Sequence, residues 1–400
     1  TYDIDTVRVI CEAAAKALAA RSQEFAEMAV RETGFGVVAH KKIKNDACSI
    51  GLWKRYEDHD YVTPTIDVDA KLASIPRPAG VIFALTPSTN PVATVSFKIL
   101  LALMTRNAIV ISPHPMAKTV CVEAAQCMAA AAEAAGAPNG VIQVVEAPSV
   151  PLITALMQDP RTDVIVATGG TPVVRASYSS GNPAIGVGPG NVPVLVDATA
   201  DLPLAAKRII ESKSFDNSIL CTNESVLIVE ESIADAFRRA LKQNNGFIVS
   251  GQDLDKLRET VFPNGHFDIS NIGKDATWIA ERAGIRVPPS TKVLVAKFAL
   301  VVPEEPLAHE KLCPVLGFVT VPTAARGIET ARSVLRITGA GHSAAIHSND
   351  PQIIMAYSSR VPVLRVSVNV GNSLGSAGIE TNLAPTMTIG TGFFGHSSVG

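Results

Sequence analysis

The stretch AGVIFALTPSTNP, residues 79–91, joins an apolar run to a polar loop that contains two prolines. Its first part, AGVIFAL at residues 79–85, predicts a buried strand, and a helical pattern follows Pro91. A second run, NAIVIS at residues 107–112, predicts the next strand. Short apolar runs separated by helical segments are typical of βαβ units. The pattern therefore predicts an α/β fold in which helices cover both faces of a parallel sheet.

This alternation of strands and helices continues along the chain and then restarts. Further strands are predicted at residues 140–146 (GVIQVVE), 163–168 (DVIVAT) and 192–197 (VPVLVD). A second set begins near Leu202, with SVLIVE at residues 225–230, and reaches Val370. Because 400 residues exceed one ordinary core, we predict two domains with a boundary near residues 198–203.

The composition is that of a globular protein. Apolar residues make up 47% of the chain, charged residues 18%, and the formal net charge is −2. These values exclude a disordered chain, and the basic excess of a general nucleic-acid binder is missing. No apolar run reaches the ~18 to 20 residues of a membrane helix. Neither nucleic acid nor a membrane is expected as a partner.

Six cysteines are scattered along the chain, without a C-x-x-C pair or the spacing of zinc ligands. They are Cys11, Cys48, Cys121, Cys127, Cys221 and Cys313. Free thiols are typical of a reducing compartment, so we expect a cytoplasmic location and no metal site. Because the chain opens at Thr1 rather than at Met, microcompartment targeting stays open as an alternative.

Polar loops follow three of the predicted strands: TPSTNP at residues 86–91, SPHP at 112–115 and TGG at 168–170. Ligands bind at the carboxyl edge of an open parallel sheet. The glycines of TGG allow close backbone approach, and the helix after them favours an anion such as a pyrophosphate. The G-x-G-x-x-G fingerprint is absent. The alternatives are a capped strand-to-helix turn for TPSTNP, and ordinary loops for TGG and for GVGPGN at residues 186–191.

Cys221 lies in the stretch SFDNSILCTNES, residues 214–225, directly before a predicted strand of the second domain. A cysteine attacks as its thiolate, and nearby donors or dipoles must lower its pKa from ~8.5. The local sequence alone is typical of a small core residue. A cleft that brings the first-domain loops to this position would favour a nucleophile.

Taken in order, these motifs resemble the aldehyde dehydrogenase superfamily over essentially the whole chain, and most closely its CoA-acylating branch. The matching stretches are IPRPAGVIFALTPSTNP, NAIVISPHPMAKT, VIVATGGTPVVRAS, AIGVGPGNVPVLVD, SKSFDNSILCTNES, HEKLCPVL, GAGHSAAIHS and APTMTIGTGFFG. The resemblance implies two parallel-sheet α/β domains with the active site in the cleft between them. It assigns residues 1–200 to cofactor binding, with a bridging hairpin at about 61–74, residues 201–370 to catalysis, and residues 371–400 to a segment that packs back over the cleft.

The resemblance also implies roles for individual residues. It implies that Cys221 is the nucleophile and that Glu310, in HEKLCPVL, binds the nicotinamide ribose. The other implied cofactor-binding residues are Thr86, Pro87, Ser112, Pro113, His114, Thr168, Gly169, Gly170 and Gly188. SPHP replaces the lysine that hydrolytic relatives use for the adenosine ribose, a departure that leaves both NAD and NADP open; NAD is the expected cofactor and NADP the alternative. His342, in GAGHS, either accepts the proton of CoA or has a structural role.

Two departures from the hydrolytic relatives bear on the reaction. Those relatives carry a glutamate general base where this chain has Gly186 or Val187, so water is not the expected acceptor. CoA is the expected acceptor, since its thiol depends less on a base. Thr89 stands where those relatives have an oxyanion asparagine. Either Asn90 from a shifted loop, or Thr89 with the backbone N–H of Cys221, would then stabilise the oxyanion.

The implied reaction oxidises a short aldehyde to a thioester on Cys221 and then transfers the acyl group reversibly to CoA. Acetaldehyde, propionaldehyde, sulfoacetaldehyde and succinate semialdehyde are the substrate candidates, and a homodimer or tetramer is implied. The alternatives are a hydrolytic dehydrogenase, an acyl-phosphate reductase of the same fold, and a non-catalytic scaffold. Intact Cys221, Glu310 and TGG argue against the scaffold.

Overall fold

The computed structural model describes residues 2–391, which form two compact units. The first unit comprises residues 2–34, 38–186 and 384–387, and the second residues 35–37, 187–383 and 388–391. The predicted domain boundary near residue 200 and the closing role of residues 371–400 stay predictions. Residues 392–400, which include the last four residues (392–395) of the last matching stretch, lie outside the described residues.

The first unit begins with helices and continues as alternating strands and helices. Its helices are α1 (Ile4–Ala20), α2 (Ser22–Thr33), α3 (Val38–Asp46), α4 (Leu52–Tyr56), α5 (Pro91–Met104), α6 (Lys118–Ala134), α7 (Val150–Gln158) and α8 (Thr171–Tyr178). Its strands are β1 (Thr65–Asp67), β2 (Leu72–Ser74), β3 (Val81–Thr86), β4 (Ala108–Pro113), β5 (Ile142–Val144), β6 (Val164–Thr168) and β7 (Ala184–Val187). A left-handed glycine, Gly34 at φ 71°, ends α2.

Among the described residues, the main sheet of this unit has the order β5-β4-β3-β6-β7, and the pairs from β5 to β6 are parallel. The strand within GVIQVVE is shorter than expected, because only Ile142–Val144 pairs with β4. The order of strands reverses at β3, which has β4 on one side and β6 on the other. Such a reversal leaves a crevice at the carboxyl ends of the strands, where α/β proteins bind ligands.

A buried lysine joins the two strands that flank this crevice. Helix α5 is buried along nearly its whole length, and it packs against α1, α6, β3 and β4. Its one charged residue, Lys98, donates from Nζ to the carbonyl oxygens of Leu85 and of Val166, the latter at 2.8 Å. Burial lowers the pKa of Lys98 to about 7. The Lys98 amino group therefore ties the carboxyl end of β3 to the middle of β6.

The second unit repeats the alternation of strands and helices. Its strands are β8 (Val192–Val196), β9 (Glu224–Glu230), β10 (Gly246–Val249), β11 (Val293–Lys297), β12 (Val315–Val321), β13 (Ser343–His347) and β14 (Arg365–Val368). Its helices are α9 (Leu202–Ser214), α10 (Glu231–Gln243), α11 (Gln252–Val261), α12 (Ala276–Arg282), α13 (Ala324–Ile337), α14 (Pro351–Arg360) and α15 (Asn372–Ser376). In the described part of the chain these strands form one parallel sheet, in the order β10-β11-β12-β9-β8-β13-β14.

Burial on both faces explains the continuous apolar strands of this sheet. In β9, Val226 and Ile228 belong to the core cluster on one face, and Leu227 and Val229 belong to the cluster on the other. A strand covered on both faces has no polar face to alternate with. The VPVLVD run forms β8 of this sheet rather than a strand beside DVIVAT, because it pairs with β9 and β13.

An exposed hairpin stands apart from both main sheets. Strands β1 and β2 pair antiparallel, Thr65 opposite Ser74, within the predicted bridging segment. Its apolar side chains Ile66, Val68 and Leu72 are exposed. No helix within residues 2–391 is both long enough and apolar enough to cross a bilayer.

The Tyr357→Phe substitution tests the packing of the second unit. Tyr357 is fully buried and its hydroxyl donates to the carbonyl oxygen of Pro193 at 3.1 Å, so the substitution removes a buried hydrogen bond. We expect a loss of about 0.5–1.5 kcal/mol in the free energy of unfolding, measured by urea denaturation. The exposed control Tyr2→Phe should leave the urea midpoint unchanged; an equally unchanged midpoint in Tyr357→Phe would contradict the assignment.

Candidate active site

Two buried hydroxyl groups at the carboxyl edge of the first sheet lack partners. Ser112 lies near the end of β4 and Thr168 ends β6, on either side of β3. Neither Ser112 Oγ nor Thr168 Oγ1 has a hydrogen-bond partner among the described residues. Since buried polar atoms in proteins are nearly always paired, both hydroxyl groups are available to a ligand. Thr86 and Pro113 end the neighbouring strands β3 and β4, Pro87 follows β3, and His114 follows β4.

The TGG turn supplies a backbone surface at the same edge. Gly170 is the N-cap residue of α8 and makes no side-chain cap. A Cβ atom at Gly169 would lie 3.6 Å from Val173, and one at Gly170 would lie 3.7 Å from Pro172. These are ordinary contacts, so the chain's own packing does not require glycine at either position. Close approach of a ligand to the helix N-terminus is a physical reason for both glycines.

The TPSTNP loop is held by two buried lysines of α3. Lys44 Nζ donates to Asn90 Oδ1, and Lys41 Nζ donates to the carbonyl oxygen of Thr89 at 3.1 Å. An ammonium group can only donate, so it orients the Asn90 amide with Nδ2 directed to Thr89 Oγ1, 3.3 Å away. Asn90 is the N-cap residue of α5 but makes no side-chain cap to it, because Lys44 and Thr89 are the partners of its amide.

In the second unit, the half-buried Cys221 follows a strained turn. The three residues Asp216, Asn217 and Ser218 have φ values of 49°, 52° and 65°, a left-handed conformation that is uncommon for non-glycine residues. The Asp216 carboxylate accepts from the backbone N–H of Val37 at 2.6 Å. Asn217 Nδ2 donates to Gly273 O at 2.9 Å and to Asp275 Oδ1 at 2.8 Å. These contacts stabilise the turn in a backbone conformation that would be unfavourable without them.

Gly190, in the GVGPGN loop, contacts three of the predicted site residues. Its N–H donates to Glu310 Oε1 at 2.9 Å. A Cβ atom at Gly190 would lie 2.2 Å from the carbonyl oxygen of Cys221 and 3.2 Å from His342 Cε1. The absence of a side chain therefore lets Cys221, Glu310 and His342 meet at one point of the second unit. The predicted cofactor residue Gly188 is buried two positions earlier in the same loop.

Burial sets the protonation of the two titratable groups at this point. It raises the pKa of Glu310 to about 8, while the Gly190 N–H and two neighbouring lysines act in the opposite direction. It lowers the pKa of His342 to about 4. His342 is therefore neutral at pH 7. Its Nδ1 lies 3.1 Å from Ser343 Oγ, and its Nε2 has no partner in the described part of the chain. Nε2 can accept a proton in the tautomer that carries its hydrogen on Nδ1 and donates it to Ser343 Oγ.

The position of the missing glutamate has no room for an acidic side chain. A Cβ atom at Gly186 would lie 2.5 Å from Val174 Cγ1 and 2.8 Å from Tyr178 Cε2. Tyr178 also binds the Gly186 N–H through its hydroxyl oxygen, at 3.0 Å. The next residue, Val187, is buried and apolar. Neither residue supplies a carboxylate that could activate water.

The sequence analysis missed the buried lysines that support these loops. They are Lys41, Lys44, Lys98, Lys213 and Lys311. A signal for some of them was present, since Lys98 stands within an otherwise uncharged helix and Lys213 falls on the face of α9 that also buries Ala205 and Ile209. Lysine is almost never fully buried without partners, so its place on an apolar face indicates a polar network.

The Gly190→Ala substitution tests whether the loops of Gly190 and Cys221 can adjoin only when residue 190 has no side chain. The added methyl group would overlap the Cys221 carbonyl, a backbone atom that cannot rotate away, so the Cys221 turn must shift. We expect alkylation of Cys221 by iodoacetamide to slow by at least about tenfold, which corresponds to an activation barrier raised by ~1.4 kcal/mol. Peptide mass mapping measures the rate at Cys221. Pro189→Ala, in the same loop, is the control. A wild-type alkylation rate in Gly190→Ala would show that the turn tolerates the methyl group.

Comparison with known protein sequences identifies a family. The model of the aldehyde dehydrogenase family matches residues 3–262. A bifunctional aldehyde-alcohol dehydrogenase of Escherichia coli is 38% identical over 405 residues, an alignment that covers 100% of this chain and 46% of that protein. The chain thus spans about half the length of these bifunctional relatives. A succinate-semialdehyde dehydrogenase (acetylating) of Clostridium kluyveri is 36% identical over 400 residues, covering 100% of this chain and 88% of that protein.

Solved structures agree with the sequence matches. An acetylating aldehyde dehydrogenase from Geobacillus thermoglucosidasius superposes with a TM-score of 0.97 at 38% identity, covering 100% of this chain and 89% of that one. A propionaldehyde dehydrogenase from Rhodopseudomonas palustris, solved with bound propionyl-CoA, gives a TM-score of 0.89 at 30% identity, covering 100% of this chain and 88% of that one. The chain belongs to the aldehyde dehydrogenase family, and its similar relatives include acylating members.

Proposed function

We propose that this chain is a CoA-acylating aldehyde dehydrogenase that oxidises a short aldehyde with NAD. The observation that carries the proposal is the closed position at Gly186 and the buried Val187, which leave no carboxylate to activate water. CoA is then the acceptor of the acyl group. The acetylating relatives and the CoA-bound propionaldehyde dehydrogenase support this acceptor over water.

Each step of the proposed reaction has a residue of this chain to carry it. The Cys221 thiolate attacks the aldehyde carbon to form a thiohemiacetal, and the proposed donor to its oxyanion is either Asn90, or Thr89 together with the backbone N–H of Cys221. NAD, held by the cofactor-binding residues, would supply the hydride acceptor for oxidation of the thiohemiacetal to a thioester on Cys221. The CoA thiol gives its proton to His342 Nε2 and attacks the thioester carbonyl. Acyl-CoA leaves, and Cys221 returns as the thiolate.

The residues present fit a dinucleotide cofactor. Among the described residues, the hydroxyls of Ser112 on β4 and of Thr168, the first residue of TGG, have no partner, and the chain's own packing does not require the glycines of TGG. Thr86, Pro87, Pro113 and His114 belong to the same carboxyl edge, and we assign all of them to cofactor binding with the first unit. In the second unit, Gly188 and Glu310 are assigned to the nicotinamide half. NAD is proposed over NADP because no lysine follows β4 at the SPHP loop before Lys118.

The remaining parts of the proposal concern substrate, assembly and location. The substrate is one of acetaldehyde, propionaldehyde, sulfoacetaldehyde and succinate semialdehyde. The exposed apolar hairpin of β1 and β2 supports assembly into a homodimer or tetramer, because such a surface is normally covered by a partner. Location in the cytoplasm, either free or as microcompartment cargo, belongs to the same proposal.

The Thr168→Val substitution tests the cofactor site. It removes a hydroxyl that has no partner in the described residues, so the urea midpoint should not fall, while NAD binding weakens by about tenfold through the loss of one hydrogen bond. Calorimetric titration with NAD measures the affinity. Thr162→Val is the reciprocal control, since Thr162 Oγ1 donates to Leu156 O at 2.8 Å and should affect stability only. Unchanged NAD affinity in Thr168→Val would remove Thr168 from the site.

The proposed reaction is tested by NADH formation from the four candidate aldehydes, with and without CoA. We expect turnover that requires CoA and produces acyl-CoA, and that is lost in Cys221→Ala. Cys127→Ala is the matched control, because Cys127 is the other cysteine that is not fully buried in the described structure. Equal turnover without CoA would mean that water reaches the acyl-enzyme and would overturn the acylating proposal.

A further inference from the structure

A buried lysine in α9 contacts both the turn that carries Cys221 and the loop that carries Glu310. Lys213 is fully buried. Its Nζ donates to Asn223 Oδ1, two residues after Cys221. It also donates to the backbone carbonyl oxygen of Lys311, at 3.3 Å. One ammonium group thus serves two loops, each holding a residue with a role in the proposed reaction.

On the Cys221 side, Lys213 acts on the turn through the side-chain amide of Asn223. Asn223 closes the turn with two hydrogen bonds to the carbonyl oxygen of Leu220, from its backbone N–H at 2.9 Å and from Nδ2 at 2.7 Å. Its Oδ1 accepts from Lys213 and from Ser218 Oγ, the latter at 2.9 Å. Because an ammonium group can only donate, Lys213 fixes which end of the amide faces Leu220. Cys221 lies between the two residues that this amide joins.

On the Glu310 side, the contact fixes the backbone directly after the glutamate. The side chain of Lys311 turns away and donates to Leu307 O at 2.7 Å, to His309 O at 2.6 Å and to Ser225 Oγ at 3.1 Å. Its carbonyl oxygen accepts from Lys213. The positive charge of Lys213 also acts against the rise in the pKa of Glu310 that burial causes. Burial lowers the pKa of Lys213 itself to about 8.

We propose that Lys213 is a positioning residue, whose single ammonium group fixes both the Cys221 turn and the Glu310 loop. It touches neither substrate nor cofactor and acts through Asn223 and Lys311. This inference rests on the proposed function for the roles of Cys221 and Glu310. The proposal predicts two effects together: loss of Lys213 should alter both the reactivity of the Cys221 thiol and the binding of the cofactor. A residue needed for stability alone would alter neither property selectively.

The test compares Lys213→Met with Lys207→Met, an exposed lysine of the same helix. Methionine keeps the length and apolar bulk of lysine and removes the donors and the charge. Two readouts are taken: the rate at which iodoacetamide alkylates Cys221, located by peptide mass mapping, and the affinity for NAD, measured by calorimetry. Alkylation of the half-buried Cys127 in the same samples is the internal reference. Neither readout uses aldehyde or CoA, so failure of the proposed reaction is seen separately.

We expect Lys213→Met to slow Cys221 alkylation by about tenfold and to weaken NAD binding by a similar factor, as for the loss of a charge-assisted hydrogen bond. Cys127 and the Lys207→Met variant should be unaffected. Lys213→Gln, which restores an N–H donor without the charge, should recover part of the Cys221 rate. The proposal is overturned if Lys213→Met leaves either readout unchanged, or if Lys213→Gln recovers nothing.

A second variant keeps the proposal testable where Lys213→Met does not fold. Asn223→Ala removes the link to the Cys221 turn and keeps the link from Lys213 to the Lys311 carbonyl. It should therefore slow Cys221 alkylation by about tenfold and leave NAD affinity within about twofold of wild type. An unchanged alkylation rate, or an equal loss of NAD affinity, would overturn the positioning role.

Discussion

The close passage of the Gly190 backbone past the Cys221 carbonyl is the constraint on which the second unit's site depends. A methyl group at Gly190 would lie 2.2 Å from that oxygen, so the two loops can adjoin only where one of them has no side chain. The same backbone presents its N–H to Glu310 and leaves His342 in contact. Cys221, Glu310 and His342 are thus brought to one point by the close approach of the Gly190 backbone. Such rigidity suits a site in which the reacting groups must keep a fixed geometry.

Buried charge is the second constraint, because each buried ion costs several kcal/mol unless its hydrogen-bonding groups are satisfied. The structure meets this cost mostly with backbone acceptors, joined by Asn223 Oδ1 and Ser225 Oγ. Lys311 Nζ donates to three described acceptors, and Lys98 and Lys213 each donate to two. Apart from Val166 O in the middle of β6, these acceptors lie in or beside a strand end or a loop of the candidate site. The lysines therefore fix the positions of the loops whose groups accept their hydrogen bonds. The left-handed turn at Asp216–Ser218 persists because the surrounding contacts hold it in place.

The sequence predicts those features that depend on local pattern. Strands β3, β4, β6 and β9 appear as short apolar runs, most continuously in β9, which is buried on both faces. The polar loops after β3, β4 and β6 mark the carboxyl edge of the first sheet. Sheet membership does not follow from local pattern. VPVLVD pairs with β9 and β13. These strands are distant in sequence, so a local stretch of sequence does not reveal the pairing. The same limit hid the role of Lys213, whose partners lie 10 and 98 residues away.

The electrostatics of the second unit suit a thiol acceptor better than water. Glu310 is the carboxyl group that Gly190 brings towards Cys221, and a pKa of about 8 keeps most of it protonated at pH 7. A protonated carboxyl cannot take a proton from water. His342 has an open Nε2, but a pKa of about 4 makes it a weak base. A thiol with a pKa near ~8.5 needs far less help than water at ~15.7. With Gly186 closed and Val187 apolar, a weak base is enough only if the acceptor is a thiol.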